Sequence, residues 1–288
     1  MNMLKERLIQ MDNIHNLEEL YGAHILFIYN NLKKSSSFID GDLVDQIYYR
    51  LKNLNRYDKL NIVLQTGGGN LAAGTRLINM LKNSNKKYTF TILDRCNSTG
   101  TFVALSSDII NITDKATITP CEPQMFYNGD SISTSIIRNI IDNYNSEIGI
   151  MDKISPKILG EYYATINYFK DLCYQVYDKD KACLIIDYML NRVNSHQYPM
   201  SESDLVKLNI EVNNITNNTE LTFLEKYSDC LLKEFNDKVD DNIIESRYNL
   251  INDCNGTVGY CKRYIKSDNS SKRIFEGYKE IDWRCNNG

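Results

Sequence analysis

The sequence predicts an α/β protein with a mainly parallel sheet in its first half and a mostly helical second half. In the first hundred residues, short apolar segments alternate with segments in which apolar residues recur every three or four positions. Strands that alternate with amphipathic helices form crossover units, which predict a parallel sheet. With 288 residues, of which 42% are apolar, the chain is also long enough to bury a sizeable core.

Predicted strands and helices alternate along the first half of the chain. The strands are HILFIYN at 24–30, NIVLQ at 61–65 and YTFTIL at 88–93. An amphipathic helix follows each of the first two strands. The apolar face of the first helix carries Leu43, Ile47, Leu51 and Leu54, and that of the second carries Leu71, Leu77, Ile78 and Leu81.

Helical spacing dominates the second half. One set of apolar residues marks a helix, and a second set marks a longer helix over 157–178. The sets are Ile132, Ile136, Ile137, Ile140 and Tyr144, and then Leu159, Tyr162, Ile166, Phe169, Cys173 and Val176. Ser201 followed by Asp204 predicts a capping box that begins a short helix. Ile210 and Val212 then suggest a final strand.

The residues after 215 are predicted to form an extension of the main domain. The polar stretch NNITNNTE (213–220) is interpreted as a linker. The spacing that follows it predicts one more helix, carried by Phe223, Tyr227, Leu231, Phe235 and Val239. A polar, hairpin-like tail completes the chain. We therefore expect a main domain over 1–215 and a helical extension with a tail over 216–288.

Composition and charge argue against several partners and locations. The formal net charge is -4 without a basic block, which argues against nucleic acid or an anionic membrane as the main partner. No apolar run approaches the roughly 18 to 20 residues of a membrane-spanning helix. The first twenty residues mix both charges, unlike the continuous apolar core of a secretory leader. We therefore expect a cytoplasmic protein without a membrane span.

The cysteines give no indication of a metal site. There are eight, and they are scattered without a CxxC pair or a nearby pair of histidines. Reduced thiols are the simplest interpretation of this pattern. Neither a metal nor a cofactor is predicted.

A glycine-rich loop follows the second predicted strand, in NIVLQTGGGNLAAG (61–74). Three consecutive glycines between a strand and a helix bring bare backbone N–H groups close to a ligand or a reacting group. One interpretation is a dinucleotide site, because Gly67, Gly69 and Ala72 fit G-x-G-x-x-A and Asp94 ends the next strand. This fingerprint is weak here, since such folds normally place it after their first strand.

The other interpretation makes the glycines half of an oxyanion hole. Its second half is predicted in DRCNSTGTFVALSSD, where Ser98 occupies a strand-to-helix turn and Gly100 follows two residues later. Backbone N–H groups at the start of a helix are unpaired, and they favour a negative charge that develops beside the serine hydroxyl. The simpler alternative is that Ser98 or Thr99 only caps the helix.

Four segments in order resemble the serine dehydrogenase proteinase family, whose relatives include the Clp protease and signal peptide peptidase A. Such proteins carry a T-P-G-G loop, a K-S-A-G-T-type turn, an A-D-E-I-like strand and a G-P-x-D-P-Q-like segment. The matching segments are TGGG (66–69), NSTGT (97–101), SSDIINIT (106–113) and TPCEPQ (119–124). Later, SHQYPMSESDLVKLNIEV (195–212) resembles another family segment, H-x-Y-P-I-T-x-x-E-A-x-x-L-G-L-x-V.

This resemblance implies an α/β ClpP/crotonase-like fold with repeated crossover units and a serine peptidase activity. It implies that Ser98 is the nucleophile. The backbone N–H of Gly68 or Gly69 and that of Thr99 would be the oxyanion donors. The expected partners are a peptide or protein substrate and further copies of the chain, because Clp-fold relatives commonly work as oligomers.

The identity of the general base stays open at this point. Clp-type enzymes carry a histidine about 25 residues after the nucleophile, but the chain has no histidine between 25 and 195. Signal peptide peptidase A relatives use a lysine some fifty residues downstream, which fits Lys153 approximately. A lysine acts as a base only if its pKa is lowered. His196 is the alternative, near the segment where Clp enzymes carry the acid of their triad.

The substrate is expected to bind as an added strand beside the glycine loop and beside the segment after Pro120. Leu71, Met125 and Phe126 are the predicted floor of a pocket that favours a small or apolar residue before the scissile bond.

Two other classes of function remain as alternatives. One is a catalytically silent Clp-fold scaffold or regulatory protein, and the other is a crotonase-like acyl-CoA or dinucleotide-binding enzyme.

Overall fold

The computed structural model of the chain has a nine-stranded sheet at its centre. It describes residues 14–35, 37–144, 156–193, 195–216, 219–240, 243–267 and 270–281. The strands are β1 His24–Asn30, β2 Lys59–Gln65, β3 Lys87–Ile92, β4 Arg95–Asn97, β5 Ile109–Ile112, β6 Thr117–Thr119, β7 Gln124–Tyr127, β8 Asp130–Ser133, β9 Glu211–Asn214, β10 Lys238–Asp240, β11 Ile243–Asp253, β12 Gly256–Ser267 and β13 Ser270–Glu280.

The helices cover the faces of this sheet and the segments beyond it. They are α1 Ile14–Tyr21, α2 Gly41–Leu51, α3 Leu71–Lys82, α4 Thr99–Ala104, α5 Thr134–Tyr144, α6 Pro156–Val176, α7 Lys179–Asp187, α8 Glu202–Lys207 and α9 Thr219–Leu232. A π-helical turn, Tyr188–Arg192, continues α7, and a 3-10 turn, Lys233–Phe235, continues α9. No helix of the described residues is both long and apolar enough to cross a membrane.

The central sheet joins a parallel half to an antiparallel half. Its order is β13-β12-β11-β1-β2-β3-β5-β9, and β10 pairs with β11. The strands β1, β2, β3, β5 and β9 pair in parallel, which confirms the predicted α/β fold. Every residue of β1 is buried. A strand that is apolar on both sides belongs in the middle of a sheet covered on both faces, and two large apolar clusters lie there.

The residues after 215 differ from the prediction. The helix predicted to reach Val239 ends at Leu232, and Val239 lies in β10. The hairpin-like tail consists of the long strands β11, β12 and β13, and β11 pairs antiparallel with β1. A four-residue spacing also repeats on one face of a strand, so the apolar pattern alone does not fix where the helix ends. The division into two domains at residue 215 stays a prediction.

Two helices of the second half agree with the sequence in detail. The capping box of Ser201 and Asp204 is present at the start of α8. Helix α6 begins at Pro156 and ends at Val176, close to the predicted range. Its surface leaves Tyr163, Tyr168 and Tyr174 about half exposed. Such a surface is compatible with contacts between copies of the chain, and oligomerisation stays a prediction.

A buried ion pair fastens the C-terminal strands to α2. The Arg50 guanidinium lies 3.3 Å from Asp253 Oδ1, and it also donates to the Gly256 carbonyl at 3.3 Å. The Asp253 side chain is fully buried, and burial raises its pKa, while the charge of Arg50 opposes that rise. A buried carboxylate that loses its cation is costly.

We predict that Arg50→Ala lowers the free energy of unfolding by about 3 kcal/mol, because it leaves Asp253 buried without its cation. The folded-state pKa of Asp253 lies above its usual 3.8, so protonation favours the folded state. The difference in the free energy of unfolding between the native protein and the variant should therefore shrink as the pH falls from about 7 toward about 4. Denaturant titration at several pH values measures both effects. Arg192→Ala, which removes an exposed pair with Asp187, is the control and should cost under about 0.5 kcal/mol. Equal losses in the two variants would contradict the role of Arg50.

Candidate functional site

Ser98 lies in the turn between β4 and α4, as the sequence predicts. Its backbone adopts φ 53° and ψ -121°, a left-handed conformation that is unfavourable for a residue with a side chain. The Ser98 N–H donates to the Thr119 carbonyl at 3.2 Å, and the Ser98 carbonyl accepts from the Phe102 N–H at 3.0 Å. The Ser98 hydroxyl makes no capping hydrogen bond to the helix. A strained serine whose hydroxyl is not used for capping is typical of a nucleophile turn.

The glycine loop is held on one side by residue 39. The Ile39 N–H donates to the Gly68 carbonyl at 2.9 Å, and the Asn70 N–H donates to the Ile39 carbonyl at 2.8 Å. This is a parallel bridge between Ile39 and Gly69. Ile39 therefore bonds the residues on either side of Gly69, and the N–H and carbonyl of Gly69 itself point away from Ile39. The Gly69 carbonyl accepts from Thr99 Oγ1 at 2.7 Å, so this edge of Gly69 faces the Ser98 turn.

The sequence left open whether Gly68 or Gly69 has an available backbone N–H, and the structure distinguishes the two. The Gly68 N–H donates to Thr66 Oγ1 at 3.0 Å. The N–H groups of Gly69 and Thr99 donate no hydrogen bond to any other described residue. An ideal Cβ added to Gly68 would lie 2.8 Å from Ser98 Cβ and 3.4 Å from Ser98 Oγ. The loop and the serine are therefore in direct contact, and two backbone donors beside them are unused.

A chain of buried hydrogen bonds supports the glycine loop from behind. The Thr66 hydroxyl accepts from the Gly68 N–H and donates to Asn30 Oδ1 at the end of β1. Asn30 Nδ2 donates to Asn249 Oδ1 in β11 at 2.8 Å. The Ser37 hydroxyl donates to the same Asn249 oxygen at 2.8 Å. The C-terminal strands are thus hydrogen-bonded, through two asparagines, to the loop beside Ser98.

Cys121 lies beside the hydroxyl groups of Ser98 and Thr99. Burial raises the pKa of its thiol to about 12, against the smaller lowering effect of the hydrogen bonds with these hydroxyls. The side chain is almost fully buried. A group with this pKa is protonated at neutral pH, so Cys121 is not a base for Ser98.

Of the two predicted bases, the described part of the chain includes His196 only. Lys153 lies outside the described residues. His196 is half-buried in the segment before α8, and this segment packs against β6 through a hydrogen bond from the Met200 N–H to the Ile118 carbonyl at 2.8 Å. The next residue of β6, Thr119, accepts the Ser98 N–H. His196 therefore belongs to a segment that borders the Ser98 turn, but no hydrogen bond joins His196 to Ser98 in the part of the chain that is described.

Buried polar atoms without partners concentrate around this turn. Six such side-chain atoms occur among the described residues. Four of them belong to segments that adjoin Ser98, namely Asn97 Oδ1, Glu122 Oε2, Gln124 Nε2 and His196 Nδ1. The other oxygen of Glu122 accepts from the Ser135 N–H at 2.9 Å. These atoms are shielded from solvent and have no hydrogen-bond partner among the described residues, which is uncommon in folded proteins.

The predicted floor of the substrate pocket is not assembled as one surface. Met125 and Phe126 are adjacent in β7, and adjacent residues of a strand point to opposite faces. Met125 is buried in a small cluster with Ile137 and Tyr162, whereas Phe126 is 75% exposed. Leu71 packs, half-buried, against the main core. Of the three residues, Phe126 alone lines the cleft beside the glycine loop.

This cleft has a volume of about 560 Å³. Its walls are the glycine loop, the segment 32–38 that follows β1, and the outward face of β4. Phe38 and Phe126 contribute exposed aromatic rings, and Lys34 and Arg95 contribute cations. Ser98 lies next to the cleft, because it follows the lining residue Asn97 and contacts the lining residue Gly68.

One group of metal-ligating side chains occurs elsewhere among the described residues. The candidate ligand atoms of Glu18, His24 and Cys254 lie within 4.8 Å of one another. His24 Nε2 accepts from the N–H groups of Arg56 and Tyr57 at 2.9 and 3.0 Å, so the proton is on Nδ1, which bonds Glu18 at 2.9 Å. Both ring nitrogens are therefore engaged, and a metal would have to displace this network. The group fits a buried hydrogen-bonding cluster better than a metal centre.

The family of the chain follows from a comparison of its sequence with the profiles of known families. The sequence profile of the ClpP-like SDH-type serine proteinases matches residues 31–241, and the chain belongs to this family. The family match confirms the resemblance found in the sequence.

The chain is also similar to individual proteins. Two uncharacterized proteins of Methanocaldococcus jannaschii are 22% and 27% identical to it, over 191 and 169 residues. The matches cover 66% and 58% of this chain, but only 66% and 56% of the length of those relatives.

Solved structures of proteases are similar at lower sequence identity. The 1510-N membrane protease specific for a stomatin homolog from Pyrococcus horikoshii is 16% identical, with 65% of this chain and 74% of that chain covered and a TM-score of 0.37. A mutant of ClpP1 from Listeria monocytogenes is 13% identical, with 71% and 98% covered and a TM-score of 0.40.

Sequence analysis assigned no role to several side chains that border the site. The hydroxyls of Thr66 and Thr99 hold the glycine loop, and Cys121 contacts the Ser98 turn. Thr66 directly precedes the glycines, so its position was a usable indication. Arg95 in the cleft had no comparable indication, because a single arginine at the start of a short strand is common on protein surfaces.

We predict that Gly69→Ala destabilises the protein and that Gly67→Ala does not. A Cβ at Gly69 would lie 2.3 Å from the Ile39 carbonyl oxygen, whereas a Cβ at Gly67 would meet Leu32 Cδ2 at an ordinary 3.9 Å. Overpacking of this kind costs about 1–3 kcal/mol, against under about 0.5 kcal/mol for the control. Thermal and denaturant unfolding of the two variants measure the difference. Equal stability would mean that the loop is not held against residue 39.

Proposed function

We propose that the protein is a serine peptidase in which Ser98 is the nucleophile. The observation that carries this proposal is the turn itself. Ser98 is held at φ 53° beside two backbone N–H groups, those of Gly69 and Thr99, which have no acceptor among the described residues. Family membership supports the same chemistry. The dinucleotide and acyl-CoA alternatives have no comparable support.

The reaction begins with attack of Ser98 Oγ on a peptide carbonyl. The carbonyl oxygen becomes an oxyanion, which accepts hydrogen bonds from the Gly69 and Thr99 N–H groups. Each preorganised donor of this kind is worth ~10²- to 10³-fold in rate. Gly68 is not a donor in this scheme, because its N–H donates to Thr66 Oγ1. Its role is to leave room for Ser98, since a side chain at this position would contact the serine. The Thr99 hydroxyl positions Gly69 by its hydrogen bond to the Gly69 carbonyl.

The base is proposed to be Lys153, with His196 as the alternative. A base accepts the Ser98 proton and returns it to the leaving amine. The unpartnered Nδ1 of His196 and its place beside β6 support the histidine. The spacing of Lys153 from Ser98, which is similar to that of serine–lysine dyads, supports the lysine.

The proposed substrate is an extended peptide in the cytoplasm. The strand β7 pairs with β8 in a two-stranded sheet, so among the described residues its other edge is open to a third strand. A peptide added there would run past Phe126, and its main chain would supply affinity with little dependence on sequence. The active form is proposed to be a homo-oligomer.

We predict that Ser98→Ala abolishes peptide hydrolysis and labelling by a fluorophosphonate probe. Ser98→Gly should also be inactive but about 1 kcal/mol more stable than the native protein, because glycine accepts a positive φ without strain. Ser203→Ala, a change of an exposed serine of α8 that does not line the cleft, is the control that should keep both hydrolysis and labelling. Intact-protein mass spectrometry measures the labelling. A native protein that never reacts would instead support the catalytically silent scaffold.

A second prediction separates the two bases. Lys153→Ala should lower the rate of hydrolysis at least ~10²-fold, whereas His196→Ala should largely retain it. The measurement is kcat/KM for one peptide substrate across the pH range, with folding checked by circular dichroism. The reverse pattern would assign the base to His196.

A further inference from the structure

The cleft beside the glycine loop carries one uncompensated positive charge. Lys34 also lines the cleft, but its Nζ donates to Asp237 at 2.6 Å and to Ser246 at 2.8 Å. Arg95 is exposed and makes no hydrogen bond or ion pair with another residue in the described part of the chain. No aspartate or glutamate occurs among the described residues that line the cleft.

The strand β4 aims Arg95 and the nucleophile turn at the same space. Side chains alternate along a strand, and Cys96 is buried in the core while Arg95 and Asn97 line the cleft. Ser98 follows directly. At a rise of roughly 3.3 Å per residue, the Arg95 backbone lies about 10 Å from that of Ser98. An extended peptide covers the same distance in about three residues.

The walls of the cleft add an apolar element. Phe38 is 38% exposed and Phe126 is 75% exposed, and both border the cleft. Aromatic rings that face solvent beside a polar groove are suited to contact with apolar side chains of a bound chain.

We infer that Arg95 is a specificity-determining residue that binds a side-chain carboxylate of the peptide. The occupant is an extended peptide with an aspartate or glutamate about three residues from the scissile bond and apolar residues close by. This inference rests on the proposed function, because it takes the cleft as the approach to Ser98. It concerns a position remote from the residue directly before the scissile bond, for which a small or apolar side chain is proposed.

Binding to a Ser98→Ala background tests the inference without hydrolysis. The probes are fluorescently labelled, acetylated and amidated ten-residue peptides in which one glutamate is moved along an otherwise constant apolar and polar sequence. The matched peptides carry glutamine instead. At low salt we expect the best glutamate peptide to bind about five-fold more tightly than its glutamine match, the equivalent of about 1 kcal/mol. This preference should fall at 0.5 M salt, since the charges are exposed.

Arg95→Gln in the same background should abolish the preference, and Arg95→Lys should retain part of it. Arg56→Gln is the control, because it removes an exposed arginine in the segment before β2, at the end of that strand opposite to the glycine loop. The inference is overturned if glutamate and glutamine peptides bind equally, if no peptide binds, or if Arg56→Gln has the same effect as Arg95→Gln. It is also overturned if only peptides with a free C-terminal carboxylate depend on Arg95.

Hydrolysis by the native protein is then measured with the same peptides. Hydrolysis without a glutamate preference would overturn the inference and leave the peptidase intact. Binding that depends on Arg95, in a protein that hydrolyses none of the peptides, would support the peptide site and contradict the peptidase.

Discussion

The arrangement of the candidate site depends on the contact between the glycine loop and its two neighbours. Gly69 is held between the Ile39 backbone, which pairs with the loop on one side, and the Thr99 hydroxyl, which bonds its carbonyl on the other. An added Cβ would overlap the Ile39 backbone, so glycine is required here for steric reasons. Because both sides are fixed, the unused Gly69 N–H has a defined direction. This is the N–H that the proposed oxyanion hole uses.

The unfavourable backbone conformation of Ser98 is maintained by contacts with its neighbours. Its N–H is bonded to β6, its carbonyl begins α4, and Gly100 behind it leaves no room between Thr66 and Cys96. A conformation that costs about 1–3 kcal/mol persists only where neighbouring contacts determine it. These contacts come from β4, β6, the residue after β2 and the helix α4. The strain is therefore a property of the assembled sheet and not of the local sequence.

Much of the parallel half could be predicted from sequence, because apolar periodicity and the order of strands and helices reflect burial directly. The turn at Ser98 and the glycine loop were also recognised, since both need small residues at fixed positions. Residues 216–288 were harder. Their four-residue apolar spacing suits a helix or a strand, and antiparallel pairing of β11 with β1 is a long-range contact that no local pattern specifies. The opposite faces of Met125 and Phe126 likewise became clear only once β7 was established.

Those C-terminal strands are linked to the candidate site as well as to the sheet. Asn249 in β11 receives hydrogen bonds from Asn30 and Ser37, and Asn30 accepts from the Thr66 hydroxyl that holds Gly68. All four of these polar residues are buried, and buried hydrogen-bond networks are costly to leave half satisfied. The family profile ends at residue 241, before β11 begins. The position of the glycine loop therefore depends in part on a segment outside the region that the family profile matches.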